Sequence, residues 1–199
     1  HLHKMGLNTV LAPVSWELIE PQEGQFDMSS LDVILTEARR NDLKVVLLWF
    51  GAWKNSMSCY APEWFKRDTK RFPRAHTREG KPVEEASSLS RNVLEADKRA
   101  FCKVMEHLRD HDATEQTVIM VQVENEYGSY GDDKEYLAKL RDGMIQRGID
   151  VPLVTSDGPE QLIILGHGAL RLSTSNFREE MEQVEGQITA SLERNNQRG

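Results

Sequence analysis

The sequence lacks cysteine motifs, long apolar runs and an excess of positive charge. It contains two cysteines, Cys59 and Cys102, whose spacing matches neither a metal nor a redox motif, and we expect both to be small buried hydrophobes. No apolar run approaches the roughly 18 residues of a membrane span. The formal net charge of −7 disfavours nucleic acid, because a phosphate backbone calls for a basic surface. We therefore expect neither a membrane nor nucleic acid as partner, while the oligomeric state is left open.

Signals for a metal, a phosphate cofactor or an export leader are also missing. His107 and His111 have the spacing of a helical metal pair, but no H-E-x-x-H motif surrounds them, which favours an exposed helix face. No metal or other cofactor is therefore predicted. The first residues, HLHKMGLNTV, lack the continuous apolar core of a signal peptide and are typical of the end of a helix. We expect the chain to begin within a domain and residues 1–199 to form one partial domain.

Apolar runs typical of buried strands recur along the chain. They cover residues 8–16, 43–53 and 118–123, with a further short strand at 151–158 and a weaker candidate at 171–177. Their apolar residues are continuous rather than alternating, as expected for strands covered on both faces. The segments between them have helical spacing or helix-boundary signals, and these predicted helices lie at about 30–40, 93–108, 132–147, 159–168 and 178–195.

Two of the predicted helices carry informative single residues. Ser30 is placed to cap the first of them, and Gly148 stands where a helix often ends in a left-handed residue. Asp97 is the single polar residue on the apolar face of the helix at 93–108. The alternation of strands and helices predicts βα units on a parallel sheet.

Two architectures fit this pattern, an open doubly wound sheet and a closed (β/α)₈ barrel. The glycines form neither G-x-G-x-x-G nor a P-loop, which disfavours the nucleotide-binding doubly wound folds. Polar and aromatic residues follow several different strands, as in barrel active sites; they are Trp16, the Trp53-Lys54-Asn55 run, Asn125-Glu126 and Ser156-Asp157. We therefore predict an α/β fold, an incomplete (β/α)₈ TIM barrel in which strands 2 to 6 are visible and the first and last strands are missing.

The run at 118–123 ends abruptly in Glu-Asn-Glu-Tyr-Gly. A carboxyl group just past a buried strand is partly shielded from water, which raises its pKa and suits it to general acid catalysis. Glycoside cleavage needs such a group, and a neighbouring amide and aromatic rings can bind sugar hydroxyls and ring faces. Trp16, Trp49, Trp53 and Tyr127 offer such rings, although Trp16 and Trp49 also fit the barrel core.

The segment VQVENEYGSYG is similar to the acid/base segment of glycoside hydrolase family 35, the β-galactosidases. The segments GLNTV, W, EP and GQFD between residues 6 and 27, and VPLVTSDG at 151–158, extend the resemblance over roughly residues 4–177. The resemblance implies that Glu126 is the catalytic acid/base and that Asn125 contacts the sugar 2-hydroxyl. It also implies a retaining reaction, whose two carboxyl groups stand about 5–5.5 Å apart. Glu124 is interpreted as a salt-bridged wall residue.

The sequence departs from the usual family pattern in its substrate-binding residues. Pro13 stands where the family typically has a tyrosine, and WFGAWKNSMSCYAPEW replaces the Gly-Pro-Tyr segment with its substrate-binding glutamate. This stretch resembles a bacterial subgroup with a Trp-Lys-Asn segment after the third strand. The resemblance implies that Trp53, Lys54 and Asn55 supply sugar contacts. Tyr127 and Trp16 are further candidate substrate-binding residues.

The family's nucleophile is a glutamate that ends the seventh strand, and no such residue is evident here. The glutamates after residue 177 have the spacing of a solvated helix face, so none of them is assigned as nucleophile. We expect the nucleophile downstream of this chain and little hydrolase activity from the chain by itself.

The sequence therefore predicts a β-galactosidase-like enzyme that acts on a β-galactoside or a plant-type oligosaccharide. An endo-acting β-glycanase of the same barrel type and a non-catalytic sugar-binding barrel fragment are the alternatives. By family resemblance, we expect a periplasmic or secreted location rather than a cytoplasmic one.

Overall fold

The computed structural model describes residues 6–54, 57–114, 116–123, 134–148, 151 and 153–154. The described strands are β1 Thr9–Ser15, β2 Lys44–Phe50, β3 Arg74–His76, β4 Pro82–Ala86, β5 Val118–Gln122 and β6 Leu153–Val154. The described helices are α1 Trp16–Ile19, α2 Ser29–Arg40, α3 Glu63–Arg67, α4 Arg91–Asp112 and α5 Lys134–Ile145. The predicted elements at 159–168, 171–177 and 178–195 lie outside the described residues.

Four of the strands form one parallel sheet in the order β1-β2-β5-β6. The helices α2, α4 and α5 each fall between two consecutive strands of this sheet, so the predicted βα units are confirmed. The register pairs Ser15 with Phe50, and it pairs Gln122 with both Leu48 and Val154. The carboxyl ends of all four strands therefore lie at one edge, which we call the C-terminal edge.

The two faces of this sheet differ in how well they are covered. One face packs on the helices, as Trp49 shows by its contacts with Asp97 and Phe101 of α4. Five residues of this face are almost fully buried, namely Val14, Val45, Leu47, Trp49 and Val121. On the opposite face Leu11 is 70% exposed and its neighbour Val46 is half-buried. In a (β/α)₈ barrel this open face is the one that points to the barrel interior.

The polar stretch between β2 and α4 has structure that the sequence did not predict. It contains α3 and a small antiparallel hairpin of β3 and β4. The hairpin turns at Gly80, whose φ of +79° is costly for other residues, and the Thr77 N–H donates to the Lys81 carbonyl. An aromatic cluster packs this stretch against α1, with the centroids of neighbouring rings 4.4 to 6.1 Å apart among Trp16, Phe65, Trp64 and Phe72.

Several predicted boundaries need correction. Trp16 begins α1 rather than ending a strand, because β1 stops at Ser15. Ser30 is not a cap, since α2 already includes Ser29, whose N–H donates to the Asp27 carboxylate. Gly148 does follow α5 with a φ of +75°, as predicted, and donates its N–H to the Ile145 carbonyl. Cys102 is buried as expected, but Cys59 is exposed.

Candidate active site

The candidate site lies at the C-terminal edge of the sheet. β2 runs there into Gly51, Ala52, Trp53 and Lys54, and β1 runs into Trp16 of α1. β5 runs into Val123, which is fully buried. The predicted residues Asn55, Asn125, Glu126 and Tyr127, and also Glu124, lie outside the described residues. Their roles stay predictions. The described residues near this edge include those of β1, β2 and α4 and of the loops after α1 and β2.

Lys54 lies above the end of β2. Its Nζ is 4.5 Å from the centroid of the Phe50 ring, a cation–π distance, and that ring packs on Tyr60 with centroids 5.1 Å apart. Paired backbone hydrogen bonds between Lys54 and Met57, of 2.8 and 3.0 Å, hold the lysine backbone in place. Phe50 shares the open face of the sheet with Leu48. The ammonium group is therefore placed at the mouth of that face, where a sugar contact was predicted.

Trp16 and Trp53 are both fully buried. The Trp16 indole N–H donates to the Glu20 carboxylate at 2.9 Å, and its ring packs edge-on to Trp64 and tilted against Phe65. These contacts support the core interpretation of Trp16, and Trp49 is likewise enclosed between the sheet and α4. A sugar-binding role for Trp16 or Trp53 stays a prediction.

Glu20, in the loop after α1, is a buried carboxylate that the sequence did not reveal. Its Oε2 accepts the Trp16 indole N–H, and its Oε1 accepts the backbone N–H of Gly24 at 2.7 Å and the Arg99 guanidinium at 2.5 Å. Its carbonyl accepts the Trp64 indole N–H at 3.0 Å. Glu20 therefore joins α1, the following loop and α4. Its only signal in the sequence is its place in the family-like EP pair.

Asp97 of α4 is a second fully buried carboxylate near this edge. Its Oδ1 accepts the Trp49 indole N–H at 2.9 Å. Its Oδ2 accepts the Tyr136 hydroxyl at 2.5 Å and the Ala52 backbone N–H at 3.4 Å. The signal was present in the sequence, where Asp97 interrupts an otherwise apolar helix face. Its partners could not be read there, because they come from β2, the loop after β2 and α5.

Ser58 fixes the loop after β2 from the other side. Its hydroxyl donates to the Ala52 carbonyl at 2.6 Å and accepts the Ala86 backbone N–H at 2.8 Å. The neighbouring Glu85 is buried, and burial raises the pKa of its carboxyl. The Glu84 charge also raises that pKa, and a hydrogen bond from the backbone N–H of Glu85 opposes the rise. Glu85 therefore places a buried carboxyl in β4, next to Ala86, whose N–H holds Ser58 and through it the loop after β2.

The described residues offer no alternative metal or membrane site. No group of three or more His, Cys, Asp or Glu side chains among them is arranged to hold a metal ion. The His107 imidazole Nε2 lies 2.6 Å from the Asp32 carboxylate, and its ring stacks on His111 at 4.0 Å. No helix in the described part of the chain is long and apolar enough to cross a membrane.

Two family models match the chain. The glycoside hydrolase 42 model, described as β-galactosidase, matches residues 1–142, which is more than half of the chain. A YacP-like NYN domain model matches residues 109–199, which is less than half and overlaps the first match.

Curated relatives agree with the first model. A β-galactosidase of Xanthomonas manihotis is 34% identical over 164 residues, which cover 79% of this chain and 25% of the relative. The human β-galactosidase-1-like protein 3 is 30% identical over 182 residues, or 89% of this chain and 26% of the relative. The chain therefore spans about a quarter of the length of these relatives.

Solved structures show the fold. The exo-β-1,4-mannosidase Op5Man5 from Opitutaceae bacterium strain TAV5 superposes with a TM-score of 0.58 at 17% identity, covering 79% of this chain and 26% of that one. A β-galactosidase from Bacillus circulans sp. alkalophilus gives a TM-score of 0.56 at 15% identity, covering 73% and 32%. Both are glycoside hydrolase barrels, so the α/β fold and the partial (β/α)₈ barrel are confirmed.

The resemblance to β-galactosidases is thus confirmed, although the matching family model is that of family 42 while the motifs resembled family 35. The family 42 model spans most of the chain, and the chain therefore belongs to this β-galactosidase family of glycoside hydrolases.

Proposed function

We propose that the protein carrying this chain is a retaining, β-galactosidase-like glycoside hydrolase that removes terminal β-galactosyl residues. The observation that supports this most is the sequence Glu124-Asn125-Glu126-Tyr127 directly after β5 and Val123, in a chain that belongs to a β-galactosidase family. The last residue of β5, Gln122, pairs with Val154 at the end of β6 and with Leu48, two residues before the end of β2. Groups that follow these strands share the edge at which barrel enzymes hold their substrates.

Glu126 is the proposed general acid and base. It protonates the glycosidic oxygen as the bond to the aglycone breaks, and it then takes a proton from the water that releases the sugar. A second carboxylate, about 5–5.5 Å away, attacks the anomeric carbon in a retaining reaction. None of the glutamates of this chain is assigned to that second role. Asn125 is the proposed donor to the sugar 2-hydroxyl.

The loop after β2 is the proposed galactose-binding segment. Lys54 supports this role, because its ammonium group lies over Phe50 at the mouth of the open face. An ammonium group there can donate to sugar hydroxyls. Trp53, Asn55 and Tyr127 complete the proposed contacts. A β-galactoside or a plant-type oligosaccharide is the proposed substrate.

The function is tested with the full-length protein on two kinds of substrate. Release of the aryl group from an aryl β-galactoside, without cleavage of a polymeric β-glucan, supports the proposal. Internal cleavage of the glucan, with no release from the galactoside, identifies an endo-acting β-glycanase instead. Binding of galactose-terminated sugars with no cleavage of either substrate identifies a non-catalytic sugar-binding protein.

A further inference from the structure

Asp97 connects the loop after β2 to α5, the helix that follows the proposed proton-donor segment in the sequence. Its Oδ2 accepts the backbone N–H of Ala52, the residue before Trp53, and the hydroxyl of Tyr136 in the first turn of α5. Tyr136 lies ten residues after Glu126 in the sequence. We propose that Asp97 is a positioning residue, which fixes the sugar-binding loop after β2 relative to α5 and thereby to the proton-donor segment. The inference rests on the proposed function.

The chemistry of the contact favours a carboxylate over an amide. The three partners of Asp97 among the described residues are donors: the Trp49 indole N–H, the Ala52 N–H and the Tyr136 O–H. A carboxylate can accept from all of them, whereas an asparagine has one acceptor oxygen and an NH₂ group that opposes a donor. The Tyr136 hydroxyl can reverse its role and accept from that NH₂ group, but the Ala52 N–H cannot. When the asparagine oxygen keeps the Trp49 N–H, the substitution removes the acceptor from the loop and leaves the side-chain volume nearly unchanged.

The burial of Asp97 makes this arrangement rigid. The carboxylate, Trp49, Ala52 and Tyr136 are all fully buried, so water does not compete for these hydrogen bonds. Trp49 is also packed on Phe101 of the same helix, with ring centroids 5.8 Å apart. Because Asp97 belongs to the long helix α4, a displacement of the loop after β2 or of α5 has to break contacts with that helix. Small misplacements of catalytic groups are costly to the rate.

The test compares Asp97→Asn with Asp112→Asn in the full-length protein. Asp112 is the matched control, because it is a buried carboxylate of the same helix whose partners are Thr117, Val118 and Arg39 at the opposite edge of the sheet. Two kinds of measurement are made below the unfolding temperature of each variant. The first gives kcat and KM on an alkyl β-galactoside, and the second gives amide hydrogen exchange by mass spectrometry in peptides covering residues 51–54 and 117–118.

For Asp97→Asn we expect kcat/KM to fall by roughly tenfold or more and exchange to rise at 51–54. For Asp112→Asn we expect exchange to rise at 117–118, with kcat/KM of the folded protein unchanged. Tyr136→Phe is the second variant in case Asp97→Asn folds poorly. It removes the Tyr136 O–H that donates to Asp97 and leaves the Ala52 and Trp49 donors in place, and we expect kcat to fall with KM little changed.

Unchanged exchange at 51–54 in Asp97→Asn, or an equal loss of kcat/KM in Asp112→Asn, overturns the inference. Wild-type kcat/KM in Asp97→Asn overturns it as well, even if exchange rises. If the unsubstituted protein hydrolyses no galactoside, the proposed function fails instead. The two failures are therefore distinguishable, because only the variants test the positioning role.

Discussion

Asp97 and Asp112 are buried carboxylates of one helix, α4, and they bind backbone N–H groups at opposite edges of the sheet. Asp97 receives donors from β2, the loop after it and α5, whereas Asp112 receives the backbone N–H groups of Thr117 and Val118 where β5 begins. Fifteen residues separate them, or about 22 Å along the helix axis. α4 therefore holds the sheet at the edge of the candidate site and again at the edge away from it.

Asp112 makes stability dependent on pH. Burial raises the pKa of its carboxyl, but hydrogen bonds from Thr117, Val118 and Arg39 outweigh burial, so the pKa lies below its ordinary value. Such a group stabilises the fold above its unfolded pKa of about 3.9, and this contribution is lost as the pH falls through the folded pKa. We expect Asp112→Asn to lower the urea midpoint at pH 7 and to shrink the difference between pH 7 and about pH 3.

The control for this prediction is Glu95→Gln, which changes an exposed carboxylate on the same helix. It should leave both urea midpoints near those of the unsubstituted protein. An acid sensitivity that is identical with and without the Asp112 carboxylate would assign the pH dependence to other groups.

Arg99 compensates the buried charge of Glu20. The carboxylate is fully buried and the guanidinium is partly exposed, with a 2.5 Å contact between them. Removing one partner of a buried pair leaves an uncompensated charge, so we expect Arg99→Met to lower the free energy of unfolding by about 2–3 kcal/mol. Chemical denaturation of the full-length protein measures this.

Arg71 provides the matched comparison, because it pairs with Glu23 of the same loop at the surface. Both partners of that pair are exposed, so Arg71→Met should cost less than about 1 kcal/mol. Equal losses for the two variants would show that burial of Glu20 does not set the energy of its ion pair.

The sequence predicted the parts of this fold whose signal is local. Continuous apolar runs identified β2 and β5, and helical spacing identified α2 and the long apolar face of α4. Asp97 was visible as an interruption of that face, but its role depends on Trp49 and Tyr136, which lie 48 and 39 residues away. The Glu20–Arg99 pair spans 79 residues and left no local pattern. The hairpin of β3 and β4 was missed because its strands are short and largely polar.

The same limit applies to the candidate site. The resemblance assigned Glu126 and Asn125 from a motif, and Lys54 from its position after β2. The contacts that hold the loop after β2 are seen only in the structure. The Ser58 hydroxyl donates to the Ala52 carbonyl, and the Asp97 carboxylate accepts the Ala52 N–H. Sequence periodicity cannot predict such contacts, because they join loops whose conformations are set by packing rather than by spacing.

Gly143 permits the close packing of α5 on α4. A Cβ at this position would lie 2.7 Å from the Cys102 Sγ, which is too close for real atoms. Gly143→Ala would gain about 1 kcal/mol of helix propensity on its own. We nevertheless expect a net loss of roughly 1–2 kcal/mol in the free energy of unfolding, because the buried interface is overpacked.

The matched test is the double variant Gly143→Ala with Cys102→Ala. Removing the sulfur makes room for the new methyl group, so the double variant should be more stable than the sum of the two single changes predicts. Additive free energies of unfolding would show that the two residues do not compete for the same space.

Glu126 is the proposed proton donor of a glycoside hydrolase, and the carboxylate two residues before it provides the control. Glu126→Gln and Glu124→Gln are compared in the full-length protein on two β-galactosides, one with an activated aryl leaving group and one with an alkyl leaving group. Only the alkyl substrate needs a proton on departure, so Glu126→Gln should lower its kcat/KM by about 10²–10⁴-fold, with a much smaller loss on the activated substrate. Glu124→Gln should affect both substrates little and equally. Equal losses on the two substrates in Glu126→Gln, or a larger dependence on leaving group in Glu124→Gln, would show that Glu126 is not the proton donor.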